Sequence, residues 1–214
     1  MQYAALIGDF IQSRNLENRG DVQRRLAAVC TELNIERDSL GLVSPLTITL
    51  GDEFQAVFCD VSRLWECILR IEAAMEPVAI RFAVGLGIIS TDIQRDTALG
   101  MDGPAFHAAR AAMEQLKKGD ARYRLEGLGQ DEVFVNAALE LIAHNRQKWR
   151  APRIITLANI LQGKTVKEIS QVTRSTEQAV YRNIRDGELE AIISMFASIA
   201  DKMMQMLNSP EGAK

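Results

Sequence analysis

The stretch from Leu46 to Phe58, LTITLGDEFQAVF, restricts the fold of this chain more than any other. Leu46-Thr47-Ile48-Thr49-Leu50 alternates as a strand should, Gly51-Asp52 interrupts it, and Phe54-Gln55-Ala56-Val57-Phe58 resumes the pattern. Two β-patterned runs about a Gly-Asp turn predict a β-hairpin. Ahead of it, Tyr3–Ile7 is a short apolar run closed by Gly8-Asp9, which reads as a buried first strand. Between the two, Val22–Leu33 places Leu26, Val29, Cys30 and Leu33 at helical spacing, and Asn34–Ser44 is a polar connection. Val61–Met75 repeats the helical spacing with Leu64, Trp65, Ile68 and Ile71, and Val78–Ile89 is rich in β-branched residues, as a central strand or two would be. The order β-α-β-β-α-β predicts an α+β, ferredoxin-like unit: a four-stranded antiparallel sheet with helices on one face.

Pro104 opens a further helix that runs to about Lys118, with Gly119 as its stop, and Ala121–Leu125 is a candidate final strand. From Val133 onward every signal is helical. The chain therefore divides, on this reading, into a ferredoxin-like part (1–130) and an all-α part (131–214). The net charge of −3 hides an asymmetry. Between Arg146 and Asp186 there are nine basic and three acidic residues, so this block carries +6 on an otherwise acidic chain. Such a block is the electrostatic footprint of a module that contacts phosphates. The three cysteines, Cys30, Cys59 and Cys67, lack metal-ligand spacing and lie in apolar segments, as reduced core thiols of a cytosolic protein do. No run has the length of an apolar membrane span or the layout of a signal peptide, so the expected compartment is the cytoplasm.

Two acidic spots follow apolar strands directly: Asp9 after the first, and Asp52-Glu53 in the hairpin turn. In a β-α-β-β-α-β sheet the first strand neighbours the hairpin, which brings Asp9 and Asp52 to one edge. Converging carboxylates repel unless a cation lies between them, and hard oxygen ligands suit Mg²⁺ or Mn²⁺, which can grip a polyphosphate. The plainer alternatives are an ordinary Gly-Asp turn and solvated hairpin acids. Ser13 and Arg14 follow the first strand end, where an arginine either clamps a phosphate or faces solvent. Arg81 begins a strand, and Asp102-Gly103 precedes a helix whose first backbone N–H groups suit an anion, although an N-cap explains the aspartate more simply. His107 is expected to be a packed or edge histidine on an alanine-rich helical face, and His144 to lie on the surface.

Four blocks in this order, AALIGDFIQSR (4–14), TITLGDEFQAVF (47–58), IRFAVGLGI (80–88) and LGMDGPAFHAARAA (99–112), resemble the SatD family of small bacterial proteins. That resemblance implies the same N-terminal pattern followed by a C-terminal helix-turn-helix. The same blocks are more distantly similar to the palm domains of class III nucleotide cyclases and GGDEF diguanylate cyclases. This likeness implies Asp9 and Asp52 as metal carboxylates with Glu53 a third. It also implies Gly8, Phe10 to Ser13 and Gly51 as backbone near phosphates, and Arg110 in the place of the cyclase arginine. Two positions depart from those patterns: Leu50 stands where GGDEF enzymes have their first glycine, and Phe106 falls where class III cyclases have an asparagine.

Thr165–Arg185 reads TVKEISQVTRSTEQAVYRNIR. Thr165 with Glu168 forms a capping-box pattern, and Val166, Ile169 and Val172 give a first buried face. Thr173-Arg174-Ser175 is a turn, and Thr176 caps a second helix with Ala179, Val180 and Ile184 inward. This layout predicts a helix-turn-helix similar to that of sigma-factor region 4, although Arg174 replaces the usual glycine of the turn and Ser175 the usual apolar residue. Ser175, Thr176, Glu177, Gln178, Tyr181 and Arg182 would line the exposed side of the reading helix. Gln178 and Arg182 suit adenine and guanine edges, and Lys164, Lys167, Arg174 and Arg185 suit phosphates. The alternative is a helical protein-interaction module. Leu189–Leu207 carries Ile192, Ile193, Phe196, Ile199, Met203 and Met206 as an apolar stripe for the core, with a Met-rich end that could serve a homodimer. The whole predicts a DNA-binding regulatory protein whose N-terminal part binds a nucleotide or other phosphorylated ligand with a divalent ion. Two rival expectations are a metal-dependent enzyme acting on a nucleotide and a degenerate palm serving as a protein-interaction scaffold.

Overall fold

The computed structural model describes residues 1–11, 18–49 and 51–209. The elements run β1 (Tyr3–Phe10), α1 (Arg19–Ile35), β2 (Leu42–Ile48), β3 (Glu53–Phe58), α2 (Leu64–Met75), β4 (Ile80–Gly87), α3 (Pro104–Leu116), β5 (Tyr123–Glu126), α4 (Glu132–Arg146), α5 (Ala151–Leu161), α6 (Val166–Val172), α7 (Glu177–Asp186) and α8 (Leu189–Asn208). The strands form one sheet in the order β2-β3-β1-β4-β5. The first four are antiparallel in the expected ferredoxin-like order, and β5 adds to β4 in parallel. β2 starts at Leu42, inside the stretch expected to be a connection, because its bulges break the alternation before Thr47.

β1 is buried on both faces, which makes it the central strand. Ala4 and Leu6 face α1 and α2, together with Phe54, Phe58, Phe82 and Val84. Ala5, Ile7, Val57 and Ala83 face the other way and are covered by α3 and by the segment 88–103. The helices thus occupy both faces, where the sequence pattern predicted one. The reason is a patch of small residues. Ala105, Ala109 and Ala112 of α3 lie on Ala83 and Gly85, and a Cβ at Gly85 would stand 2.2 Å from the Ala105 carbonyl oxygen and the Ala109 amide nitrogen. Only a glycine lets the helix come this near.

Both sheet edges are closed by an asparagine reaching from a helix. The Asn34 amide donates to the Leu46 carbonyl (2.9 Å) and its oxygen accepts the Leu46 N–H (2.8 Å) on β2. Asn136 of α4 does the same to Leu125 on β5, at 2.7 and 2.9 Å. Each carboxamide imitates one residue of a further strand and blunts an edge that would otherwise pair with another chain.

The apolar core under α1 and α2 continues without a break into α4, α5 and α8. Trp65 of α2 stacks on Phe196 of α8 with ring centroids 4.4 Å apart, and meets Tyr123 edge-on. The α8 stripe of Ile192, Phe196, Ile199 and Met203 is therefore core, and Ile193 and Met206 pack against it. Among the described residues no helix is long and apolar enough to cross a membrane.

A buried polar group sits at the same seam. The Tyr123 hydroxyl donates to Glu72 at 2.7 Å, Arg122 and Arg146 lie 3.6 and 3.9 Å from its carboxylate, and Arg146 also bonds Glu76. Burial pushes the Glu72 carboxyl above the ordinary glutamate range, against the pull of Arg146, Tyr123 and Arg122. A carboxyl raised in the folded state holds its proton more tightly there than in the unfolded chain. Stability is then lost as pH rises from the ordinary glutamate value through the folded one. In urea titrations over a pH series, Glu72→Gln is expected to flatten that decline; parallel curves for the two proteins would contradict it.

Candidate functional site

The acidic end of β1 is organised by strand register. Asp9 pairs with Glu53 on β3 and with Arg81 on β4, so the three side chains share the α3 face of the sheet. The Phe10 amide donates to the Asp52 carbonyl at 3.1 Å, which joins the hairpin turn to the strand end. Asp9 thus stands level with the hairpin acids, with Glu53 as its register partner and Asp52 bound to the strand end through its backbone carbonyl.

The partners of Asp9 are cations. Lys117, just past α3, places Nζ 3.4 Å from one carboxylate oxygen, and Arg81 lies 3.8 Å from the other. Arg81 also donates from Nε to the Leu116 carbonyl at 3.2 Å, so it ties the open C-terminal end of α3 to β1. Glu53 accepts a bond from the Thr49 hydroxyl at 3.2 Å. Among the described residues no group of three or more His, Cys, Asp or Glu side chains is placed to hold a metal ion. With Asp9 neutralised by Arg81 and Lys117, these residues as arranged do not fit a resident Mg²⁺ or Mn²⁺.

The other residues expected near phosphates have separate surroundings. Gly8 lies under the Phe54 ring, where a Cβ would come within 2.1 Å of a ring carbon, so its glycine serves packing. Phe10 is a core residue beside α1 and α2. Gly51 has φ near +69° and its carbonyl accepts from Gln23 at 3.3 Å. Ser13 and Arg14 lie outside the described residues. Arg110 is not brought to Asp9; it lies 3.4 Å from the Asp102 carboxylate and over the Phe106 ring. His107 is exposed with Nε2 3.1 Å from the same carboxylate, and the N-cap of α3 is Gly103 rather than Asp102. Arg81 and Lys117 are the site residues that the sequence pattern did not single out as partners. Arg81 follows from register once β4 is known to flank β1. Lys117 follows only from the seat of α3 on the second face.

The second candidate site is the pair α6–α7. The Thr165 hydroxyl accepts the Glu168 N–H at 3.3 Å while the Glu168 carboxylate accepts the Thr165 N–H at 2.7 Å, so the capping box forms as the sequence predicts. The Thr165 amide and hydroxyl hold the Glu168 carboxyl below the usual carboxylate range. The turn is locked by Ser175 N–H donating to the Ser170 carbonyl at 2.9 Å and by a 2.7 Å contact between the Thr173 and Ser175 hydroxyls. Arg174 takes a left-handed backbone (φ 50°), the conformation that favours glycine. Thr176 caps α7 by accepting the Ala179 N–H at 3.2 Å.

Ile169 and Val180 are buried between the two helices and α5, while Val172, expected inward, is exposed because the helix ends there and turns away. Ser175, Thr176, Glu177, Gln178, Tyr181 and Arg182 are all exposed, as are Lys167, Arg174 and Arg185. Lys164 is half-buried and donates to Asn159 at 2.7 Å, and Arg185 pairs with Asp186. Arg146 belongs to the buried group at Glu72, and Arg153 packs over the Trp149 ring, so neither adds to a phosphate-facing surface.

The sequence pattern of the SatD family matches residues 3–180. That span covers β1 through the middle of α7, and the chain belongs to the SatD family. No curated protein matches it. Among solved structures, a bacterial light-regulated adenylyl cyclase is similar over 58% of this chain at 13% identity with a TM-score of 0.40; this chain spans 43% of that one. The guanylyl cyclase Cya2 is similar over 54% of this chain and 70% of its own, at 12% identity and a TM-score of 0.38. Nothing about substrate or catalysis follows from likenesses this loose.

The pairing at Asp9 has a measurable consequence. Asp9→Ala leaves the mostly buried Arg81 without its counter-ion and removes the Lys117 tether at the end of α3. A loss of about 1–3 kcal/mol in urea titration is expected, the range for a broken charge-assisted contact in a partly buried setting. An unchanged midpoint would show that the contact contributes nothing.

Proposed function

We propose that the protein is a DNA-binding regulator in which α6–α7 acts as a helix-turn-helix and α7 enters the major groove. The observation that carries this reading is the exposed outer face of α7, presented on a short helix pair whose turn and both N-termini are fixed by side-chain caps. Gln178, Tyr181 and Arg182 project from that face. Gln178 and Arg182 have the donor and acceptor patterns for adenine and guanine edges. Lys167, in the first turn of α6, and Arg174, within the interhelical turn, would meet phosphates, which add affinity without sequence preference.

Selection of duplexes from a random library, followed by anisotropy titration, tests this. Affinity is expected to fall steeply with salt. Arg182→Ala is expected to cost about 1–3 kcal/mol of discrimination at one base pair. Lys167→Ala is expected to weaken all duplexes alike and to reduce the salt slope by about one. No enrichment and no binding at low salt would reject the proposal.

The ion pairs at Asp9 favour a second, compatible reading for the N-terminal part. A nucleotide or other phosphorylated ligand would take Lys117 and Arg81 over from Asp9, releasing the end of α3. Thermal stability followed with a panel of nucleoside triphosphates and cyclic dinucleotides, with and without Mg²⁺ or Mn²⁺, checks it. A rise in Tm that vanishes in Lys117→Met is expected. A panel without any shift, or a shift that survives the substitution, would leave this part a scaffold.

A further inference from the structure

The outer side of α4 is apolar and uncovered. Val133 is 83%, Phe134 78% and Leu141 66% exposed, with the exposed Ala137 between them. Phe134, Ala137 and Leu141 are spaced by three and four, the repeat that seats one helix against another. Val135, Leu139 and Ile142 on the opposite side already supply the contacts that hold α4 in the core. The outer stripe is therefore surplus to folding. Large apolar side chains exposed together on one helix face, rimmed by polar residues, form the kind of contiguous patch that is often an interaction site.

We propose that this face pairs with the same face of a second copy, two α4 helices crossing antiparallel about a two-fold axis at Ala137. The charge along α4 selects that occupant. Asp131, half-exposed and 3.0 Å from Lys202, stands at its N-terminal end beside Glu132, whose carboxylate accepts the Gly127 N–H, and the exposed Lys148 and Arg150 lie just beyond its C-terminal end. An antiparallel second copy brings each acidic end against the other's basic end and opposes the two helix dipoles. It also seats Phe134 of each chain against Leu141 of the other, with the small Ala137 at the crossing. A face that is complementary to itself under a two-fold is what an isologous dimer requires.

The stripe alone is smaller than the roughly 800 Å² per partner of a standard interface. Beside it runs a groove of about 450 Å³ between α4 and the segment after α3, lined by Asp120, Ala121, Glu140, Leu141, His144 and Gln147. The groove gives the partner's helix a second wall. The pairing also relocates the dimer contact expected at α8, whose apolar stripe is spent inside the chain. It stands on the α4 surface independently of the DNA reading.

Sedimentation velocity of the full chain without DNA, from micromolar to submillimolar concentration, tests the proposal. A concentration-dependent dimer is expected, and Phe134→Asp with Leu141→Asp should weaken it at least tenfold while far-UV circular dichroism stays unchanged. His144→Asp, which sets acid against Asp131, should weaken it several-fold, and adding Asp131→Lys to the same chain should restore it. A chain that stays monomeric throughout the range overturns the proposal. So does a dimer that survives the Phe134 and Leu141 substitutions, or a charge reversal that the second substitution leaves unrepaired.

Discussion

The close seat of α3 on the sheet is the contact on which the rest of the molecule depends. It exists because Gly85 has no side chain and because Ala5, Ala83, Ala105 and Ala109 have small ones. A helix this near the strands buries the second face and turns an open two-layer sheet into three layers. Its direction then carries the chain back to lay β5 beside β4, and its C-terminal end delivers Lys117 to Asp9. A side chain at position 85 would push against helix backbone rather than a flexible tip. The layer, the fifth strand and the ion pairs would all have to shift together.

The helical part has no separate core of its own. α5 packs on α2, α8 stacks Phe196 on Trp65, and one apolar cluster runs through both. The buried charges at Glu72, Arg122 and Arg146 lie at this seam. Such a group contributes little net stability, because desolvation opposes the attraction, but it is strongly sensitive to geometry. Any shift between β5 and α4 would leave a buried charge unpaired. The seam therefore favours one arrangement of the sheet and the helices.

Much of the architecture was legible in the sequence because it rests on periodicity. The hairpin, the first two helices, β1 and the caps at Thr165 and Thr176 each have a local cause, alternation, spacing or a capping residue, and the structure shows them. The second layer was not legible. Ala5, Ala83 and Gly85 are neutral in a hydrophobic pattern, and nothing local says that they form a floor for a helix. β2 began four residues earlier than its alternation suggested, since bulges and Pro45 disguise the start of an edge strand. At the candidate site, the nearness of Asp9 to the hairpin acids was legible from topology. Its pairing with Lys117 was not, because a lysine that points into solvent past a helix end and one that meets a carboxylate read alike in one dimension.

The same limit applies to charge. A basic block in a sequence is a sum over residues that the fold sends to different places. Here Arg146 goes to the buried group at Glu72, Arg153 to the face of Trp149, and Lys164 to Asn159. Lys167, Arg174 and Arg182 stay on the surface of the α6–α7 pair, with Lys148 and Arg150 past the end of α4. The exposed basic surface is thus smaller than the block suggests. A single small reader of that kind holds DNA weakly, since each phosphate contact contributes modestly and its contribution falls with salt. Two readers held at a fixed spacing gain by effective concentration what neither has alone. Under the proposed reading of α6–α7, a second copy paired through α4 would supply that fixed spacing, while the α4 face itself is argued from its own surface alone.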